Sequence, residues 1–488
     1  MEFSPEIFYC LLGEHRNTHW PDHISSKILE RICLAMIDWT VSGQLALQHT
    51  LCILSKATIF ISRWLRSCAS QGLSNCLEQS RKSYVASSLQ CLKSIDFTRA
   101  PSLSMLQALL SGASLVQLLG ETSRSWFLTA LASRGLVALG YHQLTPTFLA
   151  SEESSEIRDC VFWCYYMDKT LSMLLVRPSS LPDFPFNPAA LVRMDPENLL
   201  SYKVQILVRL AHVQDLYLNA LAERQKNRPY PSNLVESLQI ELYSVRLDIL
   251  ELRPKYTTTL ILKSEWDAVD FTYFSIACTA LRLDSIFLHD QKKREECVQC
   301  ARKALKAMQE CHTSVSTTSK SAPDSLFWTV LLYPLTPFFV IFCNIAATSN
   351  VDDLQLLKEA TATVESIGED FSFSMNLHKL LSQLIGLCSQ LDLPGRPASI
   401  ANNGDGPSNG KALLLPTISH AMRAEEWQEI QQSQEPMASD HDHAGTKRNS
   451  IWDGGLLWEL FNIQPSVEWF DAGYDNFFDG QQCQVDKL

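Results

Sequence analysis

Residues 125–144 read SWFLTALASRGLVALGYHQL, and after a short acidic loop residues 155–188 read SEIRDCVFWCYYMDKTLSMLLVRPSSLPDFPFNP. In the second stretch Ile157, Cys160, Val161, Cys164, Met167, Leu171 and Leu174 recur at the spacing that lays side chains along one face of an α-helix. Phe162, Tyr165, Tyr166 and Met173 fall beside that stripe and widen it. A helix apolar over so much of its circumference is predicted to be buried on most sides. Arg158 and Asp168 then stand near the ends of a buried surface, where a charge needs a partner.

The same period continues outward in both directions. Residues 102–119, after Pro101, place Leu103, Leu106, Leu110 and Ala113 in helical register, and residues 45–65 are apolar nearly all round. Residues 27–39 put Ile28, Ile32, Ala35 and Met36 on one stripe, with Leu29, Cys33 and Ile37 beside it. Downstream, residues 183–188 (DFPFNP) form a turn, residues 202–224 resume the helix, residues 227–231 interrupt it, and residues 234–252 continue it. The expected fold class is all-α: a large, bundle-like, multi-helix body over residues 1–393, its signature strongest over 101–188. Residues 394–450 are rich in Pro, Gly, Asn, Ser and then Gln, and are expected to be a flexible linker. Residues 451–488 form a tail of different character. No repeat of fixed period is present, which argues against a regular solenoid.

Composition narrows the function. The chain has 488 residues, 46% of them hydrophobic, and a formal net charge of -12. A surface of that sign repels a phosphate backbone, so DNA is expected to be reached only indirectly, through a partner or a missing basic segment. The 15 cysteines are odd in number and scattered, and charges interrupt the first segment, which points to free thiols in the cytosol or nucleus. Residues 327–347 are uncharged and long enough to cross a bilayer, but Pro334 and Pro337 break them midway. A buried core helix after the break is expected, with no membrane partner.

No G-x-S-x-G elbow, P-loop, G-x-G-x-x-G turn or H-E-x-x-H helix occurs, so no catalytic residue is assigned and the chain is expected not to be an enzyme. Asp352-Asp353 resembles the start of a diphosphate-binding motif, but Leu356 stands where a third carboxylate is needed; an acidic pair at a helix start is the plainer reading. Cys297-x-x-Cys300 with Cys311-His312 has zinc-ligand chemistry, yet the residues between them read as continuous helix and hold the ends about two turns apart. His441 and His443 flank Asp442 in a polar stretch and offer no more than adventitious binding.

One resemblance covers much of this. Trp126 leads a helix that ends near Gly140-x-His142. A second helix opens with Glu156 and Arg158, continues through Phe162-Trp163, Tyr165-Tyr166 and Asp168-Lys169, and closes on Arg177-Pro178, followed by Asp183 and Pro188. That order of residues resembles the fungal-specific transcription factor domain, the middle homology region of fungal zinc-cluster regulators. Pro101-Ser-Leu with Leu106–Leu109, and Pro337-Phe-Phe, resemble flanking helices of the same domain. The resemblance implies a nuclear transcriptional regulator, directed at a metabolic or secondary-metabolite gene set. The alternative is a helical adaptor without DNA binding that pairs with or titrates intact relatives; a dimer with itself or a relative fits either. Two departures matter. Val176 stands where the family usually has Gly, which stiffens that corner. The family's cysteine-rich zinc cluster finds no match over residues 1–75, so no cofactor is expected, zinc entering only with a missing N-terminal cluster.

Residues 451–479 (IWDGGLLWELFNIQPSVEWFDAGYDNFFD) contain no Lys or Arg and mix Trp458, Leu460, Phe461, Trp469, Phe470, Phe477 and Phe478 with acidic residues. Acids that keep aromatic side chains in water are the composition of an activation segment. Leu456, Leu457, Leu460 and Phe461 are placed to fold as one helix face in a coactivator groove, making the transcription machinery the expected partner. Docking of the tail onto the helical body is the other reading.

Overall fold

Serine and asparagine side chains cap the starts of some of the helices. Ser25 Oγ accepts from the Ile28 amide ahead of α1 (Ser26–Ile37), and Ser102 Oγ accepts from the Met105 amide at 3.2 Å ahead of α4 (Leu103–Leu118). Asn350 Oδ1 accepts from the Asp353 amide at 3.0 Å at the head of α13 (Val351–Ile367). The computed structural model describes residues 22–67, 71–149, 151, 154–196, 198–225, 232–257, 260–282, 291–316, 329–330, 332–333, 335–367 and 372–388. The linker at 394–450, the tail at 451–488 with Trp458 through Phe478, the turn at 227–231 and His441 to His443 lie outside the described residues.

Between those starts the chain is helix after helix: α2 (Gly43–Ser67), α3 (Gln71–Ser94), α5 (Thr122–Ala138), α6 (Pro146–Leu149), α7 (Ser155–Leu175) and α8 (Leu200–Gln225). Then follow α9 (Ser232–Tyr256), α10 (Leu260–Leu281), α11 (Gln291–Ser316), α12 (Thr336–Thr348) and α14 (Ser372–Cys388). Short 3₁₀ turns at Tyr141–Gln143 and Pro188–Leu191 bracket α7. Among the described residues there is no strand, only one isolated bridge between Asp195 and Asn198. The all-α expectation holds.

Neighbours in sequence are mostly neighbours in space: α2 packs on α3, α4 on α5, α8 on α9, α10 on α11 and α13 on α14. Helix α7 joins the two halves, touching α4 and α5 on one side and α8 on the other. Its residues Cys160 to Met173 are buried, as the width of its apolar stripe requires. One continuous apolar core runs from Ile24 to Cys388. Gly112 of α4 shows how close the helices come: a Cβ there would lie 2.5 Å from Leu92 Cδ1 of α3.

Among the described residues, three that are not glycine, Trp39, Val176 and Ser349, have positive φ, and each stands at the end of a helix. Helix α1 therefore stops before Trp39, short of the expected boundary, and Ile37 is exposed rather than part of the buried stripe. The segment at 327–347 yields α12, a helix of 13 residues beginning at the proline and largely buried, as expected for a core helix. One described helix is long and apolar enough to cross a membrane, at Gly43–Ser62, and 67% of that window is buried inside the fold.

Candidate functional site

The polar residues of the signature converge on the corner where α7 ends and the chain turns back toward α8. The turn begins at Val176, which has φ 54° and ψ 40°. Its amide donates to the Met173 carbonyl at 3.3 Å, and the Arg177 amide to the Ser172 carbonyl at 2.9 Å. That pair of bonds is a Schellman closure, usually made with glycine at the left-handed position. At Val176 a β-branched residue occupies a conformation its Cβ opposes.

Two side chains about two turns back hold the returning loop. Asp168 accepts from the amides of Ser180 at 2.9 Å and Leu181 at 3.1 Å. Lys169 Nζ donates to Ser179 Oγ at 2.9 Å and to the Leu181 carbonyl at 3.3 Å, and pairs with Asp215 of α8 at 2.9 Å. Both side chains of the Asp168-Lys169 pair are 1% exposed, so this is a fully desolvated clamp. Burial pushes the Asp168 carboxyl above the usual carboxylate range, outweighing Lys169 and the two amides. Tyr165 adds its hydroxyl to Asp215 at 3.5 Å and lies 3.3 Å from His212 Nδ1. Burial, then the negative charge of Asp215, hold that phenol well above its ordinary value and keep it a donor.

Trp126 of α5 closes the same corner from outside. Its Nε1 donates to Ser172 Oγ at 3.1 Å, Ser172 Oγ donates to the Pro178 carbonyl at 3.3 Å, and the Arg177 guanidinium lies over the indole, 4.7 Å from its centroid. Next to Lys169 on α7, Thr170 Oγ1 donates to Gln214 Oε1 at 3.0 Å, and Gln214 Nε2 reaches Tyr333 OH at 3.4 Å. The chain before α12 is tied to the same place.

The other signature residues lie elsewhere. Gly140 ends α5 with φ 73° and open space around its missing Cβ, so the backbone conformation alone calls for glycine there. His142 follows in the 3₁₀ turn, half-buried. Glu156 opens α7 and binds Arg31 of α1 at 2.7 Å. Arg158 is buried against Asp159 at 3.3 Å. Phe162 and Trp163 are core, with Trp163 5.3 Å from Tyr166 and 6.3 Å from the His23 ring. Sequence reading missed Asp215, Gln214 and Tyr333. The first two had a signal: both stand in an otherwise apolar stretch of α8, and Asp215 shares a face with Val208, Ala211 and Leu218.

Chemically the clamp holds rather than reacts. The donors of Lys169 are spent on Ser179, Leu181 and Asp215, and its carboxylate partners face away from water. The zinc-like set also disperses. Cys297 Sγ faces Cys278 Sγ at 3.5 Å, Cys311 Sγ faces the Ser264 carbonyl at 3.3 Å, and His312 Nε2 faces Ser366 Oγ at 2.9 Å. Burial pushes the Cys300 thiol up to about 12 and holds that of Cys278 well above its ordinary value. Among the described residues no three His, Cys, Asp or Glu side chains gather as metal ligands. Asp353, the other candidate, is bound by Arg302 at 2.7 and 2.9 Å and by Asn344 at 2.7 Å, which ties α11, α12 and α13 together.

Comparison with known proteins fits this geometry. An uncharacterized transcriptional regulatory protein of Schizosaccharomyces pombe is 22% identical over 342 residues, 64% of this chain and 52% of its own length. The chain thus spans about half the length of that relative. No solved structure matches. The family model described as the fungal specific transcription factor domain matches residues 59–191, from within α2 to the turn after α7, a segment that includes the Asp168-Lys169 clamp.

Proposed function

We propose that this chain is a nuclear regulator of transcription, with the helical body as its regulatory part and residues 451–488 as its activating part. The match of residues 59–191 to the fungal specific transcription factor domain carries the reading, and the name of the fission-yeast relative points the same way. The chemistry of the matched segment supports a non-enzymatic role, because its polar side chains are consumed in holding the α7 corner. The net charge of -12 supports indirect contact with DNA, through a partner or through a basic segment outside this chain. The acidic, aromatic composition of residues 451–479 supports a coactivator as the partner of the tail.

The test is a fusion of the full chain to an unrelated DNA-binding domain over a reporter gene. Reporter output is expected to rise, and to fall to background when residues 451–488 are removed, while the shortened protein stays soluble. A fusion that stays silent at normal abundance overturns the activator reading. Aggregation of the shortened protein assigns the tail to the body instead.

A further inference from the structure

Every residue of α4 from Met105 to Leu118 is buried, and four of them are polar: Gln107, Ser111, Ser114 and Gln117. The first two have partners: the Gln107 amide donates to Glu156 at 3.4 Å, and Ser111 Oγ meets His23 Nε2 at 2.8 Å. The last two do not, for Ser114 Oγ and both ends of the Gln117 amide lack a hydrogen bond. A buried polar atom in that state forfeits the bonds it had in water, and folded proteins keep few of them. Ser111, Ser114 and Gln117 follow one another at steps of three residues, the row that forms one ridge of a helix.

Other atoms in the same condition flank this ridge. His23 Nδ1, Trp163 Nε1 and Ser55 Oγ are also without partners, on side chains more than nine-tenths buried. His23 is held at Ser111, and the Trp163 ring lies 6.3 Å from its own. Register brings in Ser55. Gln48 of α2 reaches Met105 at 3.8 Å and the Cys52 thiol bonds to Ser111, so α2 and α4 run in the same direction. One turn further along each helix stand Ser55 and Ser114. Buried hydroxyls elsewhere in the fold turn back onto their own helix, as Thr58 does onto the Leu54 carbonyl at 2.8 Å and Thr129 onto that of Ser125 at 2.9 Å. Ser55 and Ser114 do not.

The charges around the ridge are matched already. Asp22 pairs with Lys56 and Glu156 with Arg31, and burial lowers the His23 pKa to about 4, which keeps the ring neutral. The unmet groups are thus neutral donors and acceptors, strung over a rise of about 9 Å between Ser111 and Gln117. A buried water needs two to four polar partners around one point, whereas these groups stand a turn apart. A few polar groups set in an apolar wall are how an uncharged organic molecule is held.

We propose that the α4 ridge, with His23, Ser55 and Trp163, is a binding site for a small uncharged organic molecule that carries both a hydrogen-bond acceptor and a donor. Binding is read on the protein alone, so it can fail while the transcriptional reading stands, and the reverse. The test is titration of the full chain with benzamide, a flat primary amide, followed by ligand-observed NMR and calorimetry. Benzamide is expected to bind with a Kd of about 1 mM or below. Benzoate, which has the same shape and a charge, should bind at least about tenfold more weakly. Gln117→Leu removes both unpaired amide ends at similar volume; it should weaken benzamide roughly tenfold and raise the melting temperature. No binding at about 10 mM benzamide overturns the proposal. Equal binding of benzoate overturns the uncharged ligand, and unchanged affinity in Gln117→Leu overturns the site by placing the molecule elsewhere. Crystals soaked in benzamide that show only waters against Gln117 and His23 overturn it as well.

Discussion

Replacing Val176 by alanine and by glycine should invert the order of stability that these two residues show in a helix. In a helix interior alanine is the better residue by about 1 kcal/mol, because glycine has more freedom to lose on folding. Val176 is instead the left-handed residue of a Schellman closure, at φ 54°. There any Cβ meets the following carbonyl at a cost of about 1–2 kcal/mol. Set against the roughly 0.5–1 kcal/mol of glycine entropy, the balance favours glycine over alanine by about 0.5–1 kcal/mol. Valine falls between them: it carries the same strain, but its half-buried side chain regains part of the loss. Urea denaturation of the three proteins measures the order, and hydrogen exchange at the Ser180 and Leu181 amides reports the corner itself. Those amides depend on Asp168, so strain released at Val176 should slow their exchange. If Val176→Ala proves as stable as Val176→Gly, the left-handed closure is wrong and the turn reaches Asp168 by another path.

Two further outcomes follow from the buried charges. Lys169→Met should destabilise the body by about 3–5 kcal/mol, since it leaves Asp168 and Asp215 buried without their cation; a loss below about 1 kcal/mol in a urea melt would mean that water reaches the clamp. His23, buried against Ser111 at 2.8 Å, has its pKa lowered by burial from 6.5 to about 4. The unfolded chain takes that proton first as pH falls, so this stability is complete above pH 6.5 and drains away toward pH 4. The whole loss is about 3 kcal/mol, and a pH series on His23→Gln should lack that slope; an unchanged slope would assign it to other groups.

The helix α7 could be read from sequence because burial on nearly all sides writes itself as apolar residues on nearly all sides. Asp168 was legible as a charge needing partners and Lys169 only as a signature residue, and neither showed where its partners lay. Two of them are backbone amides twelve and thirteen residues on, which have no sequence identity to read. The third, Asp215, lies on another helix, and only its oddity in an apolar stretch marked it. The end of α1 was misplaced for a related reason. Trp39 continues the apolar period and so extends the expected helix, whereas the backbone leaves the helix at Asp38 and turns left-handed at Trp39. Periodicity records which faces are apolar; it does not record where the last hydrogen bond is made.

The location of the charged signature also bears on what such a signature can mean. Trp126, Asp168, Lys169 and Arg177 meet within one corner, and each is spent on backbone, on a neighbouring side chain or on another member of the set. Buried charges of this kind are poor sources of stability, because desolvation consumes most of what the pairing returns. They are effective at excluding alternatives: a loop displaced from the corner would leave Asp168 and Lys169 buried without partners. The corner fixes how the first helices stand relative to α8, and through Tyr333 to the chain before α12. The signature therefore identifies a framework and leaves its use unspecified. Side chains that this framework does not consume are where a role particular to this chain is to be sought, and the acidic, aromatic composition of residues 451–479 is the first place to test.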